Sequence, residues 1–313
     1  MTRQIRRVAV IGTGVIGASW TALFLAKGID VAATDVAPGA EARLHEFIDA
    51  ARPQLEQLGA TGSSSGKLTF HADIESAVKG VDLVQENGPE RLDFKRTLYE
   101  QLDTLLDGDV IIASSSSGLT MSAIQTACKT HPERCVIGHP FNPPHLIPLV
   151  ELVGGQLTSE DTIARLAEFY TALGKRTIRL NKEVPGHVAN RLQAALWREV
   201  VHLVSEGVVS VADADTAVCW GPGLRWGVMG PTQLFHLGGG RGGIEHFFDQ
   251  FTGPMTAWWS VLGNPTITPE LRRVVVEGVN AQAHGRSVEQ LAAARDAMLM
   301  GLLAVRASRE GAD

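Results

Sequence analysis

The sequence predicts a doubly wound α/β domain followed by a smaller all-helical domain, and three observations carry that expectation. Short β-branched runs alternate with amphipathic segments over residues 6–180, the pattern of a parallel sheet covered by helices. A glycine triplet, Gly12, Gly14 and Gly17, falls between the first such run and the first helical segment. After Val184-Pro185-Gly186 strand-like alternation nearly disappears, so residues 1–184 are expected to form a Rossmann-type domain and residues 185–313 an all-helical one.

The expected strands cover residues 8–11, 31–34, 83–85, 110–113, 136–138, 149–153 and 177–180, with a weaker one at 68–70. They are short runs rich in apolar and β-branched residues, the texture of strands in a parallel sheet covered by helices. The helical patterns between them cover 16–27, 40–58, 92–106, 121–128 and 161–173. The Gly/Ser tract at 62–66 reads as a mobile surface loop. Beyond the boundary, 188–206 is one long helical pattern, the glycine-rich 238–243 an internal loop, and 288–307 a final helix. These long helices carry more apolar surface than so few residues can bury among themselves, which predicts a homodimer through the second domain.

Composition narrows the function classes. The hydrophobic fraction of 44% and charged fraction of 20% are those of a folded globular protein, and 313 residues exceed what one core usually supports. The net charge of -6, with Lys and Arg scattered, offers no basic face for nucleic acid or an anionic membrane. No apolar run reaches membrane-spanning length. Cys128, Cys135 and Cys219 lack metal-ligand spacing and are expected as reduced thiols in the cytoplasm, with no metal site. The basic opening residues run straight into the first strand, so no secretory leader is expected.

The glycine triplet has the context of a dinucleotide cradle. The first glycine permits the tight turn, the second lets the backbone approach a pyrophosphate, and the third allows close helix packing. The helix N-terminus, at Val15 and Ile16, would present N–H groups to the phosphates. Asp35 ends the second strand at a spacing suited to accepting hydrogen bonds from the adenosine ribose. Val36 and Ala37 follow it with no arginine to hold a 2′-phosphate, so NAD is expected rather than NADP.

A second motif is Gly138-His139-Pro140-Phe141-Asn142-Pro143-Pro144, followed by an apolar run that ends on Glu151. Histidine is the side chain best matched to proton transfer near neutral pH, and a carboxylate on the next strand could orient it. Joined to the cradle, this pair suggests a dehydrogenase.

Several segments carry a resemblance. Asp82-Leu83-Val84-Gln85-Glu86 with 89–96, Ala113 through the serine run to Leu119, the His139 segment, and Val184-Pro185-Gly186-His187-Val188-Ala189-Asn190-Arg191 resemble the 3-hydroxyacyl-CoA dehydrogenase family in order and spacing across nearly the whole chain. The resemblance implies that Ser117, His139, Glu151 and Asn190 meet over the substrate. His139 would take the hydroxyl proton while hydride leaves the same carbon, with Glu151 fixing its tautomer, and Ser117 and Asn190 would bond the substrate oxygen. It also implies that Asn142 lies near the nicotinamide and that Glu90 and Lys95 form a cofactor-side pair, although at a helix start they read equally as a solvated pair. His145, His187, His202, His236, His246 and His284 read as structural or surface residues.

Departures from the fatty-acid oxidation members place the chain within the family. Ser115-Ser116 precede Ser117, and Pro140-Phe141 follow His139 where those enzymes have a doubled phenylalanine. The sequence is more similar to the branch containing carnitine 3-dehydrogenase, gulonate 3-dehydrogenase and lambda-crystallin, and in the second domain to the carnitine type. That implies a small free 3-hydroxy acid as substrate, with Trp197 as a candidate for cation–π contact and Arg225, or after it Arg241, for a carboxylate. A CoA thioester is the competing substrate, for which only Arg43, Arg52 and Lys67 offer charge around the second helix. A non-enzymatic, NADH-binding crystallin-like role would show an eroded catalytic set, whereas all four residues are present.

Overall fold

A computed structural model describes residues 4–62 and 65–310, so Ser63 and Ser64 of the Gly/Ser tract lie outside the described residues. The chain divides into two compact units, Met1–Asn190 and Arg191–Asp313. The first unit runs past residue 184 because the turn after Pro185 is tied to its sheet: the N–H groups of Val188 and Ala189 donate to Glu151.

Among the described residues the first unit is built on eight strands, β1 (Arg7–Ile11), β2 (Asp30–Thr34), β3 (Leu68–His71), β4 (Leu83–Glu86), β5 (Ile111–Ser114), β6 (Cys135–Pro140), β7 (Leu149–Gly154) and β8 (Arg176–Arg179). Their order is β3-β2-β1-β4-β5-β6-β7-β8. All neighbours are parallel except β6 and β7. That exception has a simple cause, since only residues 141–148 join the two strands and a parallel neighbour would need a crossover of a dozen residues or so.

Helices α1 (Val15–Ala26), α2 (Ala40–Gln57), the short α3 (Ile74–Ala77), α4 (Leu92–Leu105), α5 (Met121–Gln125) and α6 (Glu160–Ala172) cover the sheet. The apolar α1 is buried over most of its surface, from Gly17 to Leu25, as expected for a helix without a polar face. Two cores result, one on each face. Val8, Val10, Trp20, Phe24, Leu83 and Tyr170 belong to the first, while Ile11, Val84, Tyr99, Ile112 and Ile137 belong to the second. Adjacent residues of one strand supply opposite cores, which is why these strands read as continuous apolar runs.

The second unit is helical, with α7 (Ala189–Ser205) leading into it. Its remaining helices are α8 (Val211–Trp220), α9 (Pro222–Trp226), α10 (Pro231–Gly238), α11 (Gly243–Trp259), α12 (Pro269–Ala283) and α13 (Val288–Glu310). The glycine-rich stretch expected as an internal loop instead closes α10, forms a 3-10 turn over Gly240–Gly242 and opens α11. Phe247 anchors this part, stacking on Phe235 and Phe251 at 4.7 and 5.0 Å between ring centroids.

Candidate active site

The sheet order reverses direction between β1 and β4, and the carboxyl ends of those strands open the crevice where α/β sheets bind ligands. Gly12 follows β1 with φ +83°, and an added Cβ there would lie 2.8 Å from the Asn87 carbonyl oxygen beyond β4. At Gly17 a Cβ would come within 1.9 Å of the Gly12 oxygen, so α1 can approach the turn only without a side chain. Gly14 differs, because a Cβ there would meet no atom within 4 Å. The open side of the turn is therefore at Gly14, and no side chain caps α1, whose first-turn N–H groups at Val15 and Ile16 can serve phosphate oxygens.

Asp35 stands just past β2. Its Oδ2 accepts from Thr13 N–H at 2.6 Å and Thr13 Oγ1 at 3.1 Å, and its Oδ1 accepts from Ala37 N–H at 2.8 Å. Burial pushes its pKa up, but the bonds from Ala37 and Thr13 outweigh that effect and, with nearby Arg43, hold it below the usual carboxylate range. An ionised acceptor held beside the glycine turn fits the ribose of NAD and repels a 2′-phosphate.

The antiparallel step between β6 and β7 sets His139 directly opposite Glu151. Opposite residues share a face of the sheet, so the two side chains meet. His139 Nδ1 lies 2.8 Å from Glu151 Oε2, and Nε2 lies 3.2 Å from Ser117 Oγ. An ionised carboxylate only accepts, so Nδ1 carries the proton and Nε2 keeps its lone pair toward the serine hydroxyl. The other oxygen of Glu151 accepts from Val188 and Ala189 N–H at 2.9 and 3.0 Å, where the start of α7 favours negative charge. Burial raises the carboxyl's pKa, yet the bonds from His139, Ala189 and Val188 overcome it and keep the group ionised. Asn190 sits on the first turn of α7, half-buried and next to Ala189. The structure thus brings Ser117, His139 and Glu151 into one hydrogen-bonded chain, with Asn190 on the element that holds its far end. Such a chain can accept a proton at Nε2 and stabilise the resulting imidazolium.

The four serines that close β5 and follow it divide their hydroxyls among four partners. Ser114 donates to Glu86 Oε2 at 2.6 Å, Ser115 to Asn87 Oδ1 at 2.7 Å and Ser116 to Glu90 Oε1 at 2.6 Å, while Ser117 faces His139. Of the two readings of Glu90 and Lys95, a cofactor-side pair or a solvated one, the solvated reading fails for Lys95. Lys95 is fully buried with its Nζ 2.9 and 2.8 Å from the two oxygens of Glu86, so it is not solvated and its hydrogen-bonded partner is Glu86. Its helix shows why: Lys95, Leu98, Tyr99 and Leu102 form the stripe of α4 that faces the sheet. That spacing is present in the sequence. Glu90 Oε1 accepts from the serine turn, from Ser116 Oγ and the N–H groups of Gly118 and Leu119; burial raises its pKa, but those bonds, with the nearby Lys95 charge, hold it below the usual range.

Two further residues carry no signal of their role in the sequence. His187, with φ 50°, places its ring 5.0 Å from that of His139, and its Nε2–H donates to the Ser116 carbonyl at 2.9 Å. Burial, reinforced by His139, lowers its pKa against the opposing effect of that bond, so it is the neutral neighbour of the pair. Lys175 reaches the carbonyls of Pro144 and, at 3.1 Å, Ile147, fastening the loop that carries Asn142. Burial, with a small contribution from Lys27, pulls its pKa down to about 7. Lys175 lies outside the motifs, and His187 lies in the 184–191 segment whose expected chemistry falls on Asn190. Trp197 on α7 and Arg225 on α9 lie in the second unit, where both are exposed.

Comparison with known proteins agrees with this architecture. Residues 7–184 match the NAD binding domain of 3-hydroxyacyl-CoA dehydrogenase and residues 186–282 its C-terminal domain. The chain belongs to the 3-hydroxyacyl-CoA dehydrogenase family. It is, accordingly, an NAD-dependent oxidoreductase. Within the family it is 48% identical to L-carnitine dehydrogenase of Streptomyces coelicolor, covering 94% of this chain and 92% of that one. It is 45% identical to L-carnitine dehydrogenase of Pseudomonas putida, covering 98% and 96%. Among solved structures, 5-formyl-3-hydroxy-2-methylpyridine 4-carboxylic acid 5-dehydrogenase, an NAD+-dependent dismutase, matches with a TM-score of 0.83 at 34% identity, over 98% of this chain and 99% of that one.

Proposed function

We propose that this member of the family oxidises a small free 3-hydroxy acid to the 3-oxo acid, with carnitine as the substrate and His139 as the general base. The observation that carries the substrate class is 48% identity to an L-carnitine dehydrogenase over nearly the full length of both chains. NAD, when bound, supplies the hydride acceptor. His139 Nε2 takes the hydroxyl proton, and Glu151 holds the imidazole in the tautomer that leaves Nε2 basic and then balances the charge. Ser117, bonded to the same nitrogen, and Asn190 hold the substrate oxygen in line with that base. Asn142 stands on the nicotinamide side of the same site. Trp197 receives the trimethylammonium group through its ring face and Arg225 pairs with the carboxylate.

The residues available for a CoA handle favour the free acid. Arg43 is engaged with the Pro38 carbonyl and Arg52 with Asp49, leaving Lys67 as thin support for CoA phosphates. The assembled Ser117–His139–Glu151 chain argues against a purely structural, crystallin-like role. NADH formation measured with L-carnitine, gulonate, 3-hydroxybutyrate and 3-hydroxybutyryl-CoA tests the reading; turnover of the last alone would overturn it.

The assembly we favour is a homodimer through the second unit. Trp220 is 77% exposed, Trp259 65% and Val305 63% within the chain, a load of large apolar side chains that a second copy would cover. No described helix is long and apolar enough to cross a membrane. Buried thiols at Cys128 and Cys135, neither in a disulfide, support a cytoplasmic setting. Light scattering in solution tests the dimer, which a monomeric mass would refute.

A further inference from the structure

A line of hydrogen bonds leads from the strand that carries His139 to the glycine turn. It begins at Tyr170 on α6, whose phenol oxygen lies so close to Gly138 of β6 that an added Cβ there would be 2.6 Å from it. Tyr170 donates to Gln85 Oε1 at 2.6 Å, Gln85 Nε2 to Ser115 Oγ at 3.0 Å, and Ser115 Oγ to Asn87 Oδ1 at 2.7 Å. Asn87 Nδ2 ends the line on the carbonyls of Gln85 at 3.0 Å and Ile11 at 3.4 Å. Every direction in this line is forced. The two carbonyls only accept, so the Asn87 amide turns its NH2 to them and its oxygen to Ser115. The single hydrogen of Ser115 is thereby spent, so Gln85 offers it an NH2 and keeps its own oxygen for Tyr170. Burial, against the bond to Gln85, pushes the Tyr170 pKa up, so the phenol keeps the proton it donates.

The far end of the line holds the base of the turn. Asn87 N–H donates to the Ile11 carbonyl at 2.8 Å, the same oxygen that its side chain reaches, and Ile11 directly precedes Gly12. A Cβ added to Gly12 would lie 2.8 Å from the Asn87 carbonyl oxygen, and one added to Gly17 would lie 3.2 Å from Asn87 Nδ2. Asn87 therefore stands beside the first and third glycines at once. We propose that Asn87 is a positioning residue for the cofactor cradle and that Ser115, at the end of the line from Tyr170, fixes the direction of its amide. This rests on the reading of the glycine turn as the place where NAD binds. Without the Ser115 hydroxyl the Asn87 oxygen loses that donor, and the amide is free to swing away from Ile11 and Gly17. The end of β1, on which the turn is built, then loosens.

The experiment compares Asn87→Ala, Ser115→Ala, Ser115→Thr and the double variant Asn87→Ala/Ser115→Ala, with Gly14→Ala to test the cradle itself. Each is measured for NADH affinity by fluorescence titration, for thermal midpoint, and for kcat and the KM of NAD+ with carnitine. Asn87→Ala should weaken NADH binding by about 10-fold or more, and Ser115→Ala by about 3- to 10-fold, the scale of one lost hydrogen bond. In both, kcat at saturating NAD+ should stay within about threefold, since the loss falls on binding. Ser115→Thr keeps the hydroxyl and should bind NADH within about twofold of the parent.

In the Asn87→Ala background, removal of the Ser115 hydroxyl should cost no more than about twofold, because the amide it directs is already missing. Additive losses in the double variant would overturn the proposal, as would parent-like NADH binding in Ser115→Ala beside a weakened Asn87→Ala. A lowered thermal midpoint with NADH affinity intact in both single variants would mark a merely structural role and overturn it too. Parent-like NADH binding in Gly14→Ala would remove the cradle reading and the proposal with it. Weakened Gly14→Ala beside an unaffected Asn87→Ala would remove the proposal alone.

Discussion

Replacing Glu151 by glutamine keeps the shape of the orienting side chain and alters what it offers. The carboxylate accepts at both ends, from Val188 and Ala189 N–H on Oε1 and from His139 Nδ1 on Oε2. Glutamine has one oxygen and one NH2 group. If the oxygen stays with the two backbone amides, the NH2 faces Nδ1, which must then accept; the ring carries its proton on Nε2 and cannot take another there. In the reverse placement two amide donors face an NH2, and each buried donor left without an acceptor costs about 1–3 kcal/mol.

The productive tautomer is therefore disfavoured by about 2–6 kcal/mol, or roughly 30-fold to 10⁴-fold at about 1.4 kcal/mol per factor of ten. Loss of the negative charge facing the imidazolium lowers the rate further. We expect kcat for NADH formation from carnitine to fall by at least about 100-fold, with NADH affinity by fluorescence titration within about twofold of the parent. A Glu151→Gln enzyme within about fivefold of wild type would refute the assignment of Glu151 as the group that sets the base.

Three other outcomes follow from the geometry. Lys95→Met leaves Glu86, fully buried, without its cation; urea unfolding should show a loss of about 3–5 kcal/mol, and a loss under about 1 kcal/mol would show that the pair is solvated after all. Gly17→Ala drives a Cβ into the Gly12 carbonyl and should lower the thermal midpoint and abolish NADH binding, whereas Gly14→Ala meets no protein atom and should weaken NADH binding with a midpoint within about 2 °C. Calorimetry with an NADH titration separates these two, and equal loss of stability in both would refute the roles given to the glycines. Asp35, Glu90 and Glu151 all have pKa values held below the ordinary range, so their contribution to stability is present above the unfolded value near about 4 and is lost as pH falls through the folded values. Urea midpoints should therefore drop below about pH 4, and a midpoint that rose on acidification would contradict the sign.

Much of the site is legible in the linear order of residues. Gly12, Gly14, Gly17 and Asp35 sit at spacings set by one local strand-turn-helix unit and the strand that follows, and such spacings survive in a linear string. His139 and Glu151 are legible for a related reason: the short link between their strands forces an antiparallel step that pairs them. Lys95 is not legible in this way. Its partner depends on which face of α4 meets β4, and the nearer carboxylate in sequence is not the nearer one in space.

The sequence by itself determined the α/β class, the helical second part and the dinucleotide cradle, because each rests on short-range periodicity or on turn stereochemistry. Only the tertiary structure decided who serves whom among the polar groups. Four identical serines in a row carry no label, yet the fold sends them to Glu86, Asn87, Glu90 and His139 in turn. His187 and the N–H groups of Val188 and Ala189 likewise reach the dyad through a left-handed turn far along the chain. Hydrogen-bond partners are chosen by direction and distance in three dimensions, and neither quantity is written in the order of residues.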